Sequence, residues 1–395
     1  MLLAIDNDPR DYAWGRRGAI SRLLGRPATD AIEAELWLGA HHGSPTQVLD
    51  PGAVGGAADL VAAVAQVPEL TDGTGRVPFL LKVIAPASPL SLQAHPTAAQ
   101  AEAGFARENA AGIALDAFDR NYKDPYPKPE LIVALEDGYQ ALAGLRPVQD
   151  AVAALHQLAA LPAVADEHAE TLLGLAVALE NSDDLPGFIA RLLRREDGAG
   201  GEADVDDEIA AVSAAAFAAS EEFPVQATIA RTYPGDPGIV ISLLLHHVTL
   251  RRGESVYLPA GNLHAYLDGI GIELMTASDN VLRGGLTPKY VDVSELLTVL
   301  DASARPEPRL VSTALPGGGV EYRPDDPDAG FGLAWIERDA TLPLTGPAIA
   351  LCVEGAFTLT GDHAEVRLER GSSIFASPDE GTLRISGSGL VVVAR

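Results

Sequence analysis

The stretch Gly253–His264, GESVYLPAGNLH, decides how this chain is read. Glycine, five residues, then Pro-x-Gly-x-x-His puts a tight turn, Pro259 and Gly261, just before a histidine. That turn holds the next strand so that the His264 imidazole points inward. An ordinary β-turn followed by an unremarkable histidine has the same letters, so the spacing alone leaves both readings open.

Working outward, GIVISLLLHHVTLRRGESVYLPAGNLHAY reads as two apolar strands separated by the turn at Arg252-Gly253, with strand signal returning from Pro224. Upstream, AELWLGAHHG, VPFLLKVIAPASPLSLQAHP and ELIVALEDG are short apolar runs bounded by Gly and Pro. They predict a β-rich unit over residues 1–145. Between the two lies an Ala- and Leu-rich region. Val148, Val152, Leu155 and Leu158, then Leu172, Leu173, Ala176 and Leu179, recur at helical intervals, with EDGAGGEADVDDE (196–208) as a loop between helices. DVSELLTVLDA after Lys289 reads as a short helix, and from Leu310 hairpin spacing predicts a small β-sandwich. The expected organisation is a mainly β chain. Residues 1–146 and 224–305 form one unit, 147–223 a helical insertion within it, and 306–395 a C-terminal sandwich.

Composition narrows the function. The 395 residues are 47% hydrophobic and 21% charged, enough to bury real cores. No apolar run approaches the ~18 residues that span a bilayer. The start, MLLAIDNDPR, has no basic region ahead of an apolar one and does not read as a signal peptide. The single cysteine, Cys352, excludes an internal disulfide framework, and a cytoplasmic protein is expected. A formal net charge of −27 disfavours nucleic acid and anionic membranes as partners. An anionic substrate would then need clustered basic residues or a metal ion.

Gln93 and His95 stand at i and i+2, so a strand presents both on one face. A polar strand edge would look the same. Prolines 125, 127 and 129 stiffen the chain ahead of Glu130. Gln93, His95, Glu130 and His264 would make a four-donor N/O shell suited to zinc. The lack of cysteine donors favours a catalytic site with room for water or substrate. The remaining histidines compete poorly, although His41 could line a cleft.

The Pro-x-Gly-x-x-His turn resembles the second metal motif of the cupins, whose double-sheet jelly rolls hold His and carboxylate ligands in a barrel mouth. The run from His264 through Tyr266, Gly269, Glu273, Met275, Ser278-Asp279-Asn280, Arg283 and Gly285 to Thr287-Pro288-Lys289 resembles the signature of the class I mannose-6-phosphate isomerases. Their second signature, Tyr-x-Asp-x-Asn-His-Lys-Pro-Glu, is matched at Tyr122, Asp124, Lys128, Pro129 and Glu130, with Tyr126 and Pro127 at the Asn and His positions. Further likeness lies in Tyr12-Ala-Trp14-Gly15, Ala34-Glu35-Leu36-Trp37 and the segment from Pro78 to Lys82.

The resemblance implies a cupin-type jelly-roll catalytic domain, an inserted α-helical domain and a C-terminal jelly roll. GSSIFASPDEG (371–381) lacks the metal motif, consistent with a last module without metal. It implies one zinc ion per chain on Gln93, His95, Glu130 and His264, and interconversion of mannose 6-phosphate and fructose 6-phosphate through an enediol. Arg283 would steady the enediolate. Asp279 and Glu273 are the candidate bases, Tyr266 and Lys289 possible shuttles, and a zinc-bound hydroxide a further base. Lys82, Ser91, Lys128 and Lys289 would meet the phosphate, and Glu35 would line or support the cleft. The expected partner is a small hexose phosphate, with the protein a monomer or small homo-oligomer. A metal-dependent cupin oxygenase and a non-catalytic sugar-phosphate-binding cupin are the alternatives.

Overall fold

A computed structural model describes residues 1–71, 73–196 and 204–395. Its centre is a pair of five-stranded antiparallel sheets. One runs Ser255–Leu258, Glu130–Ala134, Gly271–Thr276, Phe79–Ile84, Glu35–Leu38; we call it the cleft sheet. The other runs Leu245–Leu250, Tyr139–Leu145, His264–Asp268, Gln93–Ala94, Leu282–Arg283. Ile84, Ile132, Val256 and Leu258 of the first pack against Tyr139, Ala141, Val248, Leu250 and Tyr266 of the second, closing a jelly roll.

Both faces of each sheet are covered, which is why these strands read as unbroken apolar runs. In the cleft sheet Leu36, Leu38, Leu81, Val83, Leu131, Val133, Ile272 and Leu274 face outward. They share a core with Leu351, Phe375 and Val392 of the C-terminal part. In the other sheet Leu92, Ala94, Leu142, Leu145, Ala265 and Leu282 face the helices and share a core with Leu155, Leu172, Ile209 and Ile229. Alternation places the intervening residues inside the jelly roll, and several of those are polar.

Three sequence expectations are corrected. The strand signal from Pro224 is helix instead, at Pro224–Thr232 and Gly238–Ser242, and strand begins only at Leu245. Ile239, Val240 and Ile241 are buried on every side, so the run carries no periodicity to separate helix from strand. In the expected loop 196–208, residues 197–203 lie outside the described residues. Val205–Glu208 open the helix Val205–Ala218, with the Asp204 side chain accepting from Asp206 N. The first strand, Leu2–Asp6, joins the C-terminal sheet beside Ser373–Ala376 rather than the jelly roll that follows it. The helix Val148–Ala159 and its buried stripe follow the predicted spacing. In Asp166–Glu180 the buried stripe is Leu172, Leu175, Ala176 and Leu179, with Leu173 exposed. The short helix after Lys289 is Val293–Val299.

Eight C-terminal strands, joined by Leu2–Asp6 and Gln47–Val48, form a ten-stranded sheet built on two 13-residue strands, Ala348–Thr360 and Thr382–Ala394. Its own interior is apolar: Ile336, Leu342, Ala350, Cys352, Phe357, Leu359, Leu368 and Leu383.

Candidate metal centre and cleft

The turn read from sequence has a strict backbone reason. Gly261 has φ +79°, and a Cβ there would stand 2.9 Å from the Val299 carbonyl, so only glycine fits. Its N–H donates to the His95 carbonyl at 2.8 Å, which ties the turn to the strand carrying Gln93. His264 follows as the first residue of its strand. Register pairs it with Gln93, and Gln93 with Arg283, so three adjacent strands present His264, Gln93 and Arg283 in one row on one face. In the cleft sheet a second row pairs Glu273 with Lys82 and Lys82 with Trp37.

Backbone carbonyls decide the tautomers of both inward histidines. His95 Nδ1 lies 2.7 Å from the Asn280 carbonyl and His264 Nδ1 lies 2.9 Å from the Asn262 carbonyl. A carbonyl only accepts, so each Nδ1 carries the proton and each Nε2 presents a lone pair. Those Nε2 atoms stand 3.2 Å and 3.3 Å from the two oxygens of Glu130. Both are buried with no hydrogen-bond partner among the described residues. Burial, then the Lys128 charge, lowers the His95 pKa to about 4 despite the pull of Glu130, so its ring is neutral at pH 7. Lone pairs facing carboxylate oxygens in a dry pocket repel one another unless a cation sits between them. The spacing is also that of ligand atoms around zinc, where bonds of about 2.0–2.1 Å set neighbouring donors about 3.3 Å apart. The donors therefore fit a divalent ion. Gln93 is the register partner of His264 and lines the cleft beside these donors.

The cleft in front of these residues has a volume of about 670 Å³, in the range of small-molecule sites. Glu35, Lys82, Ser91, Gln93, Lys128, Glu130, Tyr266, Glu273, Asp279, Arg283 and Lys289 all line it, with His95 and His264 buried behind Glu130. The basic residues separate into two groups. Lys82 is paired with Glu273 at 2.8 Å and lies 3.7 Å from Glu35, while Lys128 is paired with Glu130 at 3.1 Å. Arg283, Lys289 and Lys123 have no carboxylate partner among the described residues. Burial, then the charges of Arg283 and Lys123, lowers the Lys289 pKa. Three unpaired cations that repel one another make a natural anion site in an acidic protein.

The carboxylates also divide. Burial raises the Glu273 pKa against the pull of Lys82. Burial opposes ionisation of Asp279 too, but hydrogen bonding from His41 and the nearby Lys128 charge prevail and lower its pKa to about 2. Tyr266 bridges toward Glu130 at 3.4 Å, and burial beside Glu273 keeps its hydroxyl protonated.

The sequence reading assigned no role to Asn280, Lys123 or Asp236. Fully buried Asn280 holds His95 through its carbonyl, accepts from Lys123 N, and donates to the carbonyls of Asp124 and Tyr126. Its only signal was its place in the Ser-Asp-Asn run. Asp236, ahead of the helix Gly238–Ser242, accepts from Leu286 N at 2.8 Å, Thr287 N and Gly238 N. It thereby holds Leu286 at φ +54°, in the turn between Arg283 and Lys289. Nothing in its local sequence marks it.

The model for the catalytic domain of phosphomannose isomerase type I matches residues 2–148. The mannose-6-phosphate isomerase of Shigella flexneri is 34% identical over 404 residues, covering 97% of this chain and 96% of that protein. The chain belongs to the type I phosphomannose isomerase family. The enzyme of that name from Salmonella typhimurium is 35% identical over the same shares of the two chains. Among solved structures, a phosphomannose isomerase variant from Salmonella typhimurium matches with TM-score 0.84 and 32% identity, covering 100% of this chain and 98% of that one. A holo, zinc-bound mannose 6-phosphate isomerase matches with TM-score 0.83 and 33% identity at the same coverage. The fold is thus that of the phosphomannose isomerases, a cupin fold. Where the family signature has Asn-His, this member has Tyr126 and Pro127. Here the Tyr126 carbonyl accepts from Asn280 at 2.9 Å, and its half-exposed ring lies 3.4 Å from the Arg76 guanidinium.

Proposed function

We infer that this protein interconverts mannose 6-phosphate and fructose 6-phosphate, with one zinc ion held by Gln93, His95, Glu130 and His264. The observation that carries this reading is the convergence of two unprotonated imidazole nitrogens on one buried carboxylate, beside a cluster of unpaired cations. Charge supports it as well. Glu35, Glu130 and Glu273 outnumber Lys82 and Lys128 by one in this buried cluster, and a divalent ion reverses that sign.

Zinc, when bound, supplies a Lewis acid that polarises the sugar oxygens. The residues do the rest. Lys289 and Lys123 take the phosphate. Lys82 and Lys128, already paired with carboxylates, serve instead to balance Glu273 and Glu130. Arg283, next to Gln93 in the row of strands, steadies the enediolate with a charge that burial leaves unpaired. Glu273, its pKa raised by burial, is the group suited to take the carbon proton and return it to the neighbouring carbon. Asp279, held ionised, accepts from a sugar hydroxyl. Tyr266 keeps its proton and donates, orienting Glu130 and Glu273. Ser91 offers a hydroxyl at the cleft wall, and Glu35 steadies Lys82 while accepting from Trp37 Nε1 at 2.8 Å.

A coupled assay of mannose 6-phosphate conversion tests this, with chelator and then with zinc restored. Turnover is expected with metal, lost with chelator and regained on zinc addition. A zinc-loaded protein without turnover would overturn the isomerase reading in favour of binding alone.

A further inference from the structure

A second histidine–carboxylate cluster lies at the cleft mouth. His41 Nε2 is 3.3 Å from Asp279 Oδ1, and His42 Nε2 is 3.5 Å from Asp279 Oδ2. Their ligand atoms are close enough together to hold a metal ion. One hydrogen bond argues against that. The Gly43 N–H donates to His41 Nδ1 at 3.1 Å, so Nδ1 is the lone-pair nitrogen and Nε2 carries the proton. This is the reverse of His95 and His264, whose Nδ1 atoms face carbonyls. A metal on His41 Nε2 would need a proton on Nδ1, which would then point at the Gly43 N–H.

We propose that His41 is a positioning residue of the cleft, donating from Nε2 to hold the Asp279 carboxylate toward the substrate. His42 is the outer half of the same clamp. The surroundings fit this role. His41 is 5% exposed and packs edge-on against Trp37, with ring centroids 4.9 Å apart. Its other face stacks on His42 at 4.6 Å. Arg10 fixes the loop by donating to the Gly43 carbonyl at 2.9 Å. From the opposite side the Asp279 backbone N–H donates to Asp124 Oδ2 at 2.8 Å. Asp279 is half-buried and is the cleft carboxylate engaged by neither Lys82 nor the metal donors, so it is the one free to meet a sugar hydroxyl. His42 has no motif value in the sequence and is exposed, which suits an outer, weaker donor.

The proposal rests on the isomerase reading, and its test is relative to the parental enzyme, so the two fail separately. Parental, His41→Leu, His41→Gln, Asp279→Asn and the double variant His41→Leu/Asp279→Asn are compared as zinc-loaded proteins for kcat, KM and metal content. His41→Leu is expected to lower kcat about 10-fold or more, with one metal per chain retained, because a misplaced reacting group costs of that order. His41→Gln keeps an N–H near the Nε2 position and is expected to recover most of the loss. The double variant is expected to match Asp279→Asn, since a residue acting only through Asp279 has nothing further to lose. A double variant that loses the full His41 factor again would overturn the proposal. So would a second bound metal that disappears in His42→Ala, because the cluster would then be a metal site. If His41→Leu fails to fold, the His41→Gln and Asp279→Asn pair decides alone: a His41→Gln enzyme as impaired as Asp279→Asn overturns it.

Discussion

Two β-rich units share a core in this molecule, a pair of five-stranded sheets and one ten-stranded sheet, and their interiors differ sharply. The C-terminal one is filled by Phe357, Leu359, Leu368, Ile374 and Leu383. The central one begins the same way, with Ile132, Val248 and Leu258. At one end it gives its inward positions to Gln93, His95, Glu130, His264, Lys82 and Glu273. The architecture tolerates either filling because strand alternation, not side-chain identity, decides which residues point inward. What the polar filling needs in addition is partners for every buried charge. That is where Asn280, Asn262, Asp236 and the Lys–Glu pairs enter.

The comparison breaks first at the metal end. Replacing His264 with Ala is expected to remove zinc and turnover together, whereas Arg283→Ala keeps zinc and loses turnover by about 10³-fold, roughly the ~4 kcal/mol of a lost transition-state contact. Metal analysis beside kinetics distinguishes the two. An Arg283→Ala enzyme working at the parental rate would remove Arg283 from the mechanism.

The apolar end should answer differently. Phe357→Ala opens a cavity in a dry core and is expected to cost about 3–5 kcal/mol in denaturant unfolding. Turnover per folded molecule should stay unchanged, since Phe357 packs in the C-terminal apolar core and is not among the residues that line the cleft. A fall in kcat equal to that of the metal-site variants would mean that the two β-rich units do not act separately.

Acid sharpens the contrast. In zinc-free protein the folded His95 titrates near pH 4, while an unfolded histidine titrates near 6.5. Between those values the unfolded chain holds a proton that the folded one refuses, so stability falls as pH drops from about 6.5 toward 4, by something on the order of 3 kcal/mol. His95→Leu should lose that part of the slope in unfolding titrations from pH 7.5 to 4. A variant with the parental slope would show that the His95 ring is not held neutral. Zinc should suppress the same slope, because it occupies the lone pair the proton would take.

The smallest effect concerns the support around the polar end. Asp236→Ala removes the acceptor for Leu286 N and Gly238 N and is expected to relax the Leu286 turn. Lys289 should then shift, raising KM for mannose 6-phosphate by about 3- to 10-fold while kcat changes less. An unchanged KM would mean the turn holds without Asp236.

Legibility followed the same division. The convergence of His95, Glu130 and His264 was foreshadowed because each sits beside a turn or strand whose spacing is local: Pro259 and Gly261 before His264, prolines before Glu130, i and i+2 for His95 and Gln93. The helical stripe at Val148–Leu158 was visible for the same reason. The strand reading at Gly238–Ser242 failed because a run buried on all sides has no period to read. The first strand was placed with its sequence neighbours because nothing in Leu2–Asp6 points to Ser373–Ala376, more than 360 residues away. The pairing of Lys82 with Glu273 was not legible, because the two residues meet only across neighbouring strands.

By itself, then, the sequence determined which donors exist and that strands and turns would carry them, since propensity and turn chemistry act over a few residues. Only the tertiary structure decided what each donor does. Whether an imidazole offers a lone pair or a proton depends on what faces its other nitrogen. Here that is the Asn280 carbonyl for His95 and the Gly43 N–H for His41. Two chemically identical side chains take opposite roles through backbone groups, and for His95 that group lies 185 residues away along the chain.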